Sequence, residues 1–237
     1  NNTTADKNTA VGTTALFTNT TGTRNVAVGF CSSNANTTGS DNTALGNDSL
    51  RSNTTGANNV AIGKNALVAN TTGSANTAVG CNTLGANTTA DNNTAIGAFA
   101  LDTNTTGGAN TAVGKSALSE NTTGENNVSM GSSSMLVNTT GSGNTGLGNA
   151  SLTANTTGSE NAAVGIFALA KNTTAAGNTG MGYKALCANT TGTSNVALGH
   201  SSLDANTTAD SNTAIGRSAL SSNTTGYSNV SVGAFSM

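Results

Sequence analysis

Proline and tryptophan do not occur in this chain, histidine occurs once, and aromatic residues make up only 3% of it. A globular core built on 237 residues would normally carry more Leu, Phe and Trp, so an ordinary compact domain is a poor description. Charge is equally scarce. Asp, Glu, Lys and Arg together make up 8% of the chain, which argues against disorder of the charged, solvated kind. With 8 basic against 10 acidic residues there is no electrostatic footprint for nucleic acid. Uncharged low-complexity disorder fails for another reason: the variation along the chain respects position too strictly.

Reactive chemistry is thinly supplied. His200 stands at a variable position with no Cys, Asp or Glu partner at a ligand-like spacing, and reads as a solvated surface residue. The carboxylates are scattered and not paired for acid–base work. The 30 glycines carry no phosphate-loop Lys-Ser/Thr signature. No catalytic, cofactor-binding or metal-ligating residue is therefore assigned, and the chain does not read as an enzyme. Cys31, Cys81 and Cys187 lie too far apart in a stiff array to form a disulfide framework or a metal site. No signal peptide or membrane span appears.

What is present is one sentence written repeatedly. "NTTGANNVAIGKNALVA" (53–69) is followed at once by "NTTGSANTAVGCNTLGA" (70–86). The Asn-Thr-Thr triplet recurs every 17 residues from Asn2 to Asn223, giving fourteen units with no insertion or deletion. A fixed short period is the signature of a repeat architecture. Residues 1–237 thus read as a single repeat array whose units stack identically.

Numbering each unit 1 to 17 from its Asn separates fixed from free positions. Positions 1–3 are always Asn-Thr-Thr, position 7 is always Asn and position 11 is always Gly. Position 10 is always aliphatic or Met (Ile62, Val79 and Val113, for example), and position 15 is Leu in eleven units, such as Leu67, Leu84 and Leu118. Positions 9 and 14 are small. Every charged residue falls at position 5, 6, 12, 13, 16 or 17.

Two apolar anchors five residues apart, with a Gly between them, cannot make a helix stripe. Asn, Thr and Gly are also poor helix formers. The alternating, β-branched run at positions 7–10 predicts a short strand, and "TTG" and the fixed Gly predict turns. The expected fold is all-β: a parallel β-solenoid of fourteen 17-residue coils, each with two short strands, spaced about 4.8 Å apart and roughly 60 Å long in all. Positions 10 and 15 are expected to fill the core. Gly63, Gly80 and Gly131 at position 11 are expected at positive φ. Asn53, Asn70 and Asn121 at position 1, and Asn59, Asn76 and Asn127 at position 7, are expected to stack as two amide ladders that satisfy turn groups.

The segment "NVAIG" or "NTAVG", followed by two free residues and Ala or Ser, resembles the head repeat of YadA-like trimeric autotransporter adhesins. With its added "NTTG" it also resembles repeats in bacteriophage tail fibres. The resemblance covers every unit, although each unit here is longer than the adhesin repeat. It implies a left-handed β-roll, a homotrimer, and a place outside the cell, on a cell surface or on a virion. The function it implies is a structural shaft that projects or contributes to adhesion and host attachment, with itself and a host-surface receptor or glycan as partners.

Two other readings stand beside it. The chain begins within one residue of a unit boundary and stops inside the last coil, which fits a piece of a longer fibre or an extracellular filament that polymerises end to end. Threonine columns resemble those of ice-binding β-solenoids. Position 8 is Thr in all seven odd-numbered units and mostly Val in the even ones. Each Asn-Thr-Thr is also an N-glycosylation sequon, but sugars at every coil would collide.

Overall fold

The computed structural model describes residues 4–237; Asn2 and Thr3 of the first triplet lie outside the described residues. The described chain is a parallel β-solenoid without helix. It divides into two compact units, 1–123 and 124–237.

In the first unit the strands are β1 (Thr9–Val11), β2 (Val26–Val28), β3 (Thr43–Leu45), β4 (Val60–Ile62), β5 (Thr77–Val79), β6 (Thr94–Ile96) and β7 (Thr111–Val113). Each pairs in parallel with the next, one full period apart, so that Thr43 faces Val60 and Val60 faces Thr77. The second unit repeats the arrangement with β8 (Val128–Met130), β9 (Thr145–Leu147), β10 (Ala162–Val164), β11 (Thr179–Met181), β12 (Val196–Leu198), β13 (Thr213–Ile215) and β14 (Val230–Val232).

Each coil has one strand, at positions 8–10, where two were expected. The opposite wall, positions 12–16, is not extended. Position 13 (Asn65, φ 57) and position 15 (Leu67, φ 52) are left-handed. That alternation turns the N–H groups of positions 13 and 15 in opposite directions along the stack. Asn65 N donates back to Asn47 O at 3.0 Å, whereas Leu67 N donates forward to Thr83 O at 3.0 Å. A left-handed non-Gly residue costs roughly 1–2 kcal/mol. At Leu67 the cost is offset by a hydrogen bond and by complete burial of the side chain, worth about 1.5–3 kcal/mol.

The core also differs from expectation. Position 15 is interior: Leu67, Leu84 and Leu118 are fully buried. Position 10 is not. Ile62, Val79 and Val113 are only half-buried, and Leu45 in the same column is 45% exposed. The reason is strand alternation. In a three-residue strand the middle residue alone faces inward, and here it is the small one, such as Ala61, Ala78 or Ala112, all fully buried. The coil is so narrow that one Leu, two small residues and two Asn fill it. Ser33 stands in the Leu column, buried, and its hydroxyl finds no partner.

Replacing Leu67 by Ala should therefore cost about 2–5 kcal/mol. The same change at Ile62 should cost about 1 kcal/mol or less, both read by urea unfolding at high dilution. Equal losses would place position 10 inside.

Candidate functional site

Between Asn19 and Asn212 the two fixed Asn columns are buried, and their amides are linked by hydrogen bonds. Asn53, at position 1, donates from Nδ2 to Gly56 O at 2.9 Å and to Asn36 Oδ1 of the preceding coil at 2.8 Å. Its Oδ1 accepts Asn70 Nδ2 at 2.9 Å. Asn121 continues the column, donating to Asn104 Oδ1 at 2.8 Å.

The position-7 column is built differently. Asn59 Oδ1 accepts the backbone N–H of Asn76 at 3.0 Å, and Asn59 Nδ2 reaches forward to Gly73 O at 2.9 Å. Asn76 makes the equivalent bond to Ala90 O at 2.8 Å, and Asn127 the equivalent bond to Gly141 O at 2.9 Å.

The two columns meet on one backbone atom. Gly73 O accepts Asn70 Nδ2 of its own coil at 2.9 Å as well as Asn59 Nδ2 of the coil before. Sequence reasoning missed this acceptor, because a carbonyl has no letter of its own. The available signal was position 4 itself, which is Gly or Ala in every unit.

Thr at position 2 adds a further tie: Thr54 Oγ1 donates to Thr71 O at 3.0 Å. The glycines at position 11 lie at the bend after the strand. Gly63 (φ +129), Gly80 (φ +142) and Gly131 (φ +137) lie where side chains are strained. A Cβ on Gly63 would also meet Gly80 O at 2.5 Å.

This geometry bears on the sequons. The acceptor nitrogen of Asn53 or Asn70 is buried and already donates two hydrogen bonds. Attaching a sugar there would remove one of the two N–H donors and force a bulky group into a buried position, which breaks the ladder.

The outer surface falls into three zones. The strand face carries positions 8 and 10, mixed Thr and aliphatic, with Val11 57% exposed and Met130, Met181 and Leu198 exposed in the same column. No charged residue occupies positions 7–11 in any unit. Charges sit on the bends to either side and on the far corner.

His200 is exposed and lies against Tyr183 of the preceding coil, ring centroids 5.1 Å apart. Cys31, Cys81 and Cys187 are unpaired, and burial pushes the Cys187 thiol upward. Among the described residues no group of three His, Cys, Asp or Glu side chains is placed to hold a metal ion. No helix among them is long and apolar enough to cross a membrane.

Two carboxyls depart from the ordinary range. The hydrogen bond from Arg24 holds Asp41 low, with Arg24 Nε to Asp41 Oδ1 at 2.6 Å. Asp102 is half-buried, and burial alone raises it. A raised carboxyl contributes stability that is full below its unfolded value and lost as pH rises through the folded value. Asp102→Asn should accordingly be more stable than the parent at neutral pH. The gap should close on acidification through the carboxylate range, as measured by thermal unfolding.

The amide network makes a second prediction. Asn70→Ala strands Gly73 O with one donor fewer and leaves Asn53 Oδ1 unpaired, at a cost of about 1–3 kcal/mol. Asn149→Ala removes only an exposed bond to Ser132 O and should cost little. Equal losses in urea unfolding would deny the fixed column its role. The chain matches no protein-family model, no curated protein and no solved structure.

Proposed function

We propose that this chain is a structural shaft of an extracellular, cell-surface or virion-surface fibre, in which copies associate side by side and hold an adhesive or receptor-binding part away from the surface. The observation that carries the reading is the strand face. Its outward columns are apolar or Thr, free of charge in every unit, and half-buried to exposed (Leu198 at 45%). A repeated apolar face of this kind is a liability for a solitary soluble chain and an asset for one that packs against its neighbours.

The interior supports the same reading. One Leu per coil buries little apolar surface, so lateral contact is a source of further stability. A homotrimer is the assembly we favour, on the resemblance of the "NVAIG" segment to trimeric adhesin repeats. Positions 9 and 14 face the coil interior, so the contact surface between copies is assigned to positions 8 and 10. A host receptor or glycan is the expected partner of the assembled fibre.

Sedimentation velocity of the chain at micromolar concentration tests this. A defined lateral oligomer, a trimer foremost, is expected. A monomer that arrests ice growth would replace the reading with an ice-binding solenoid. Open-ended polymers would replace it with an end-to-end filament.

A further inference from the structure

The bends on either side of the strand face carry opposite charge in the second unit. At positions 5 and 6, before the strand, stand Glu125, Glu160 and Asp210, with no cation. At positions 12 and 13, after it, stand Lys184 and Arg217, beside His200 and with no acid. All six are exposed, and none forms an ion pair within the unit among the described residues. The far corner, positions 16 and 17, is balanced by Lys171 and Asp204. An uncharged apolar face is thus framed by one acidic and one basic edge.

We infer that a second copy of this chain packs in parallel on this face, with its basic edge against the acidic edge of the first, Asp210 of one meeting the partner's Arg217. The inference rests on the lateral association proposed above and adds to it an orientation and a contact.

The orientation follows from symmetry. Turning a second copy half a turn about the stacking direction, so that the two strand faces meet, sets each acidic edge opposite a basic one. Inverting that copy end for end sets acid against acid and base against base. In a three-fold ring the same rule holds: each basic edge adjoins the next copy's acidic edge only if all chains run the same way. An interface of this kind is specified by its repulsive alternative as much as by its attraction.

The heights agree. Asp210 and Arg217 belong to the same coil, 206–222, so an in-register parallel pair brings them level. Glu160 and Lys184 lie one coil apart, a step of about 4.8 Å that long side chains span. Glu125, in the coil that begins at Asn121, has no cation at positions 12 and 13 of its own coil or of the next one, and no contact is assigned to it.

Both groups are already held for the role. Asp210 Oδ1 accepts Thr193 N at 2.6 Å and Thr193 Oγ1 at 3.0 Å, which orients the carboxylate. Arg217 lies over the Phe235 ring at 5.3 Å, which steadies its guanidinium.

The test uses the full chain in low salt, with association measured by sedimentation and folding checked by circular dichroism. Asp210→Arg and Arg217→Asp should each weaken association about fivefold or more, in the range of an exposed ion pair lost and replaced by repulsion. The double variant should recover the parent affinity, because a parallel pair then meets as Arg against Asp. Raising the salt should weaken the parent and flatten the differences. Association that is unmoved by either single change, or single losses that the double variant does not rescue, would overturn the inference while leaving lateral association standing. A parent chain that stays monomeric would overturn both.

Discussion

The stack hangs on one recurring carbonyl. The position-4 oxygen accepts an amide from its own coil and another from the coil before, as Gly73 O does from Asn70 and Asn59. Each of those amides is buried and uses its remaining groups on the neighbouring Asn of its column or on a backbone N–H. A buried amide with an idle donor or acceptor costs more than its hydrogen bond is worth, so the network tolerates little displacement. An inserted residue would move the carbonyl off both amides. This accounts for the unbroken 17-residue period, for the invariant Asn at positions 1 and 7, and for a residue no larger than Ala at position 4.

The period, the strand and the amide columns were legible because each is written in letters: a recurring triplet, a β-branched run, an Asn that never changes. The orientation of the strand was not. A column of Ile, Val, Leu and Met invites the assumption that it is interior, and the small residue between positions 8 and 10 looks like mere clearance. Narrowness reverses that logic, since Ala61 and Leu67 with two Asn leave no room for Ile62 inside. The second wall was equally hidden. Leucine has no intrinsic leaning towards left-handed φ, so nothing in its identity announces Leu67 at φ 52. The stack imposes that conformation.

That wall also gives the missing proline a reason. In the coil 53–69 the N–H groups of Thr54, Thr55, Val60, Leu67 and Ala69 donate to the next coil, and those of Asn58, Gly63 and Asn65 to the previous one. Asn58, Gly63, Asn65 and Leu67 have positive φ. Proline offers neither a donor nor a positive φ, so most of the coil is closed to it. Because each coil donates both ways, its edges are satisfied only by other coils. Cooperativity between neighbours, and not the stability of any one coil, is what holds such an array together.

In-register stacking has a consequence for how such a chain changes over generations. The surface that Gly73 and its amides present to one neighbour is, in its fixed residues, the surface every other coil presents. Recombination between two copies of the repeat, at the same position within the period, therefore joins coils that already fit. The array can grow or shrink by whole coils without an intermediate that fails to fold. Its six variable columns are carried along as interchangeable blocks of surface, so reach and surface chemistry can be revised independently of the fold.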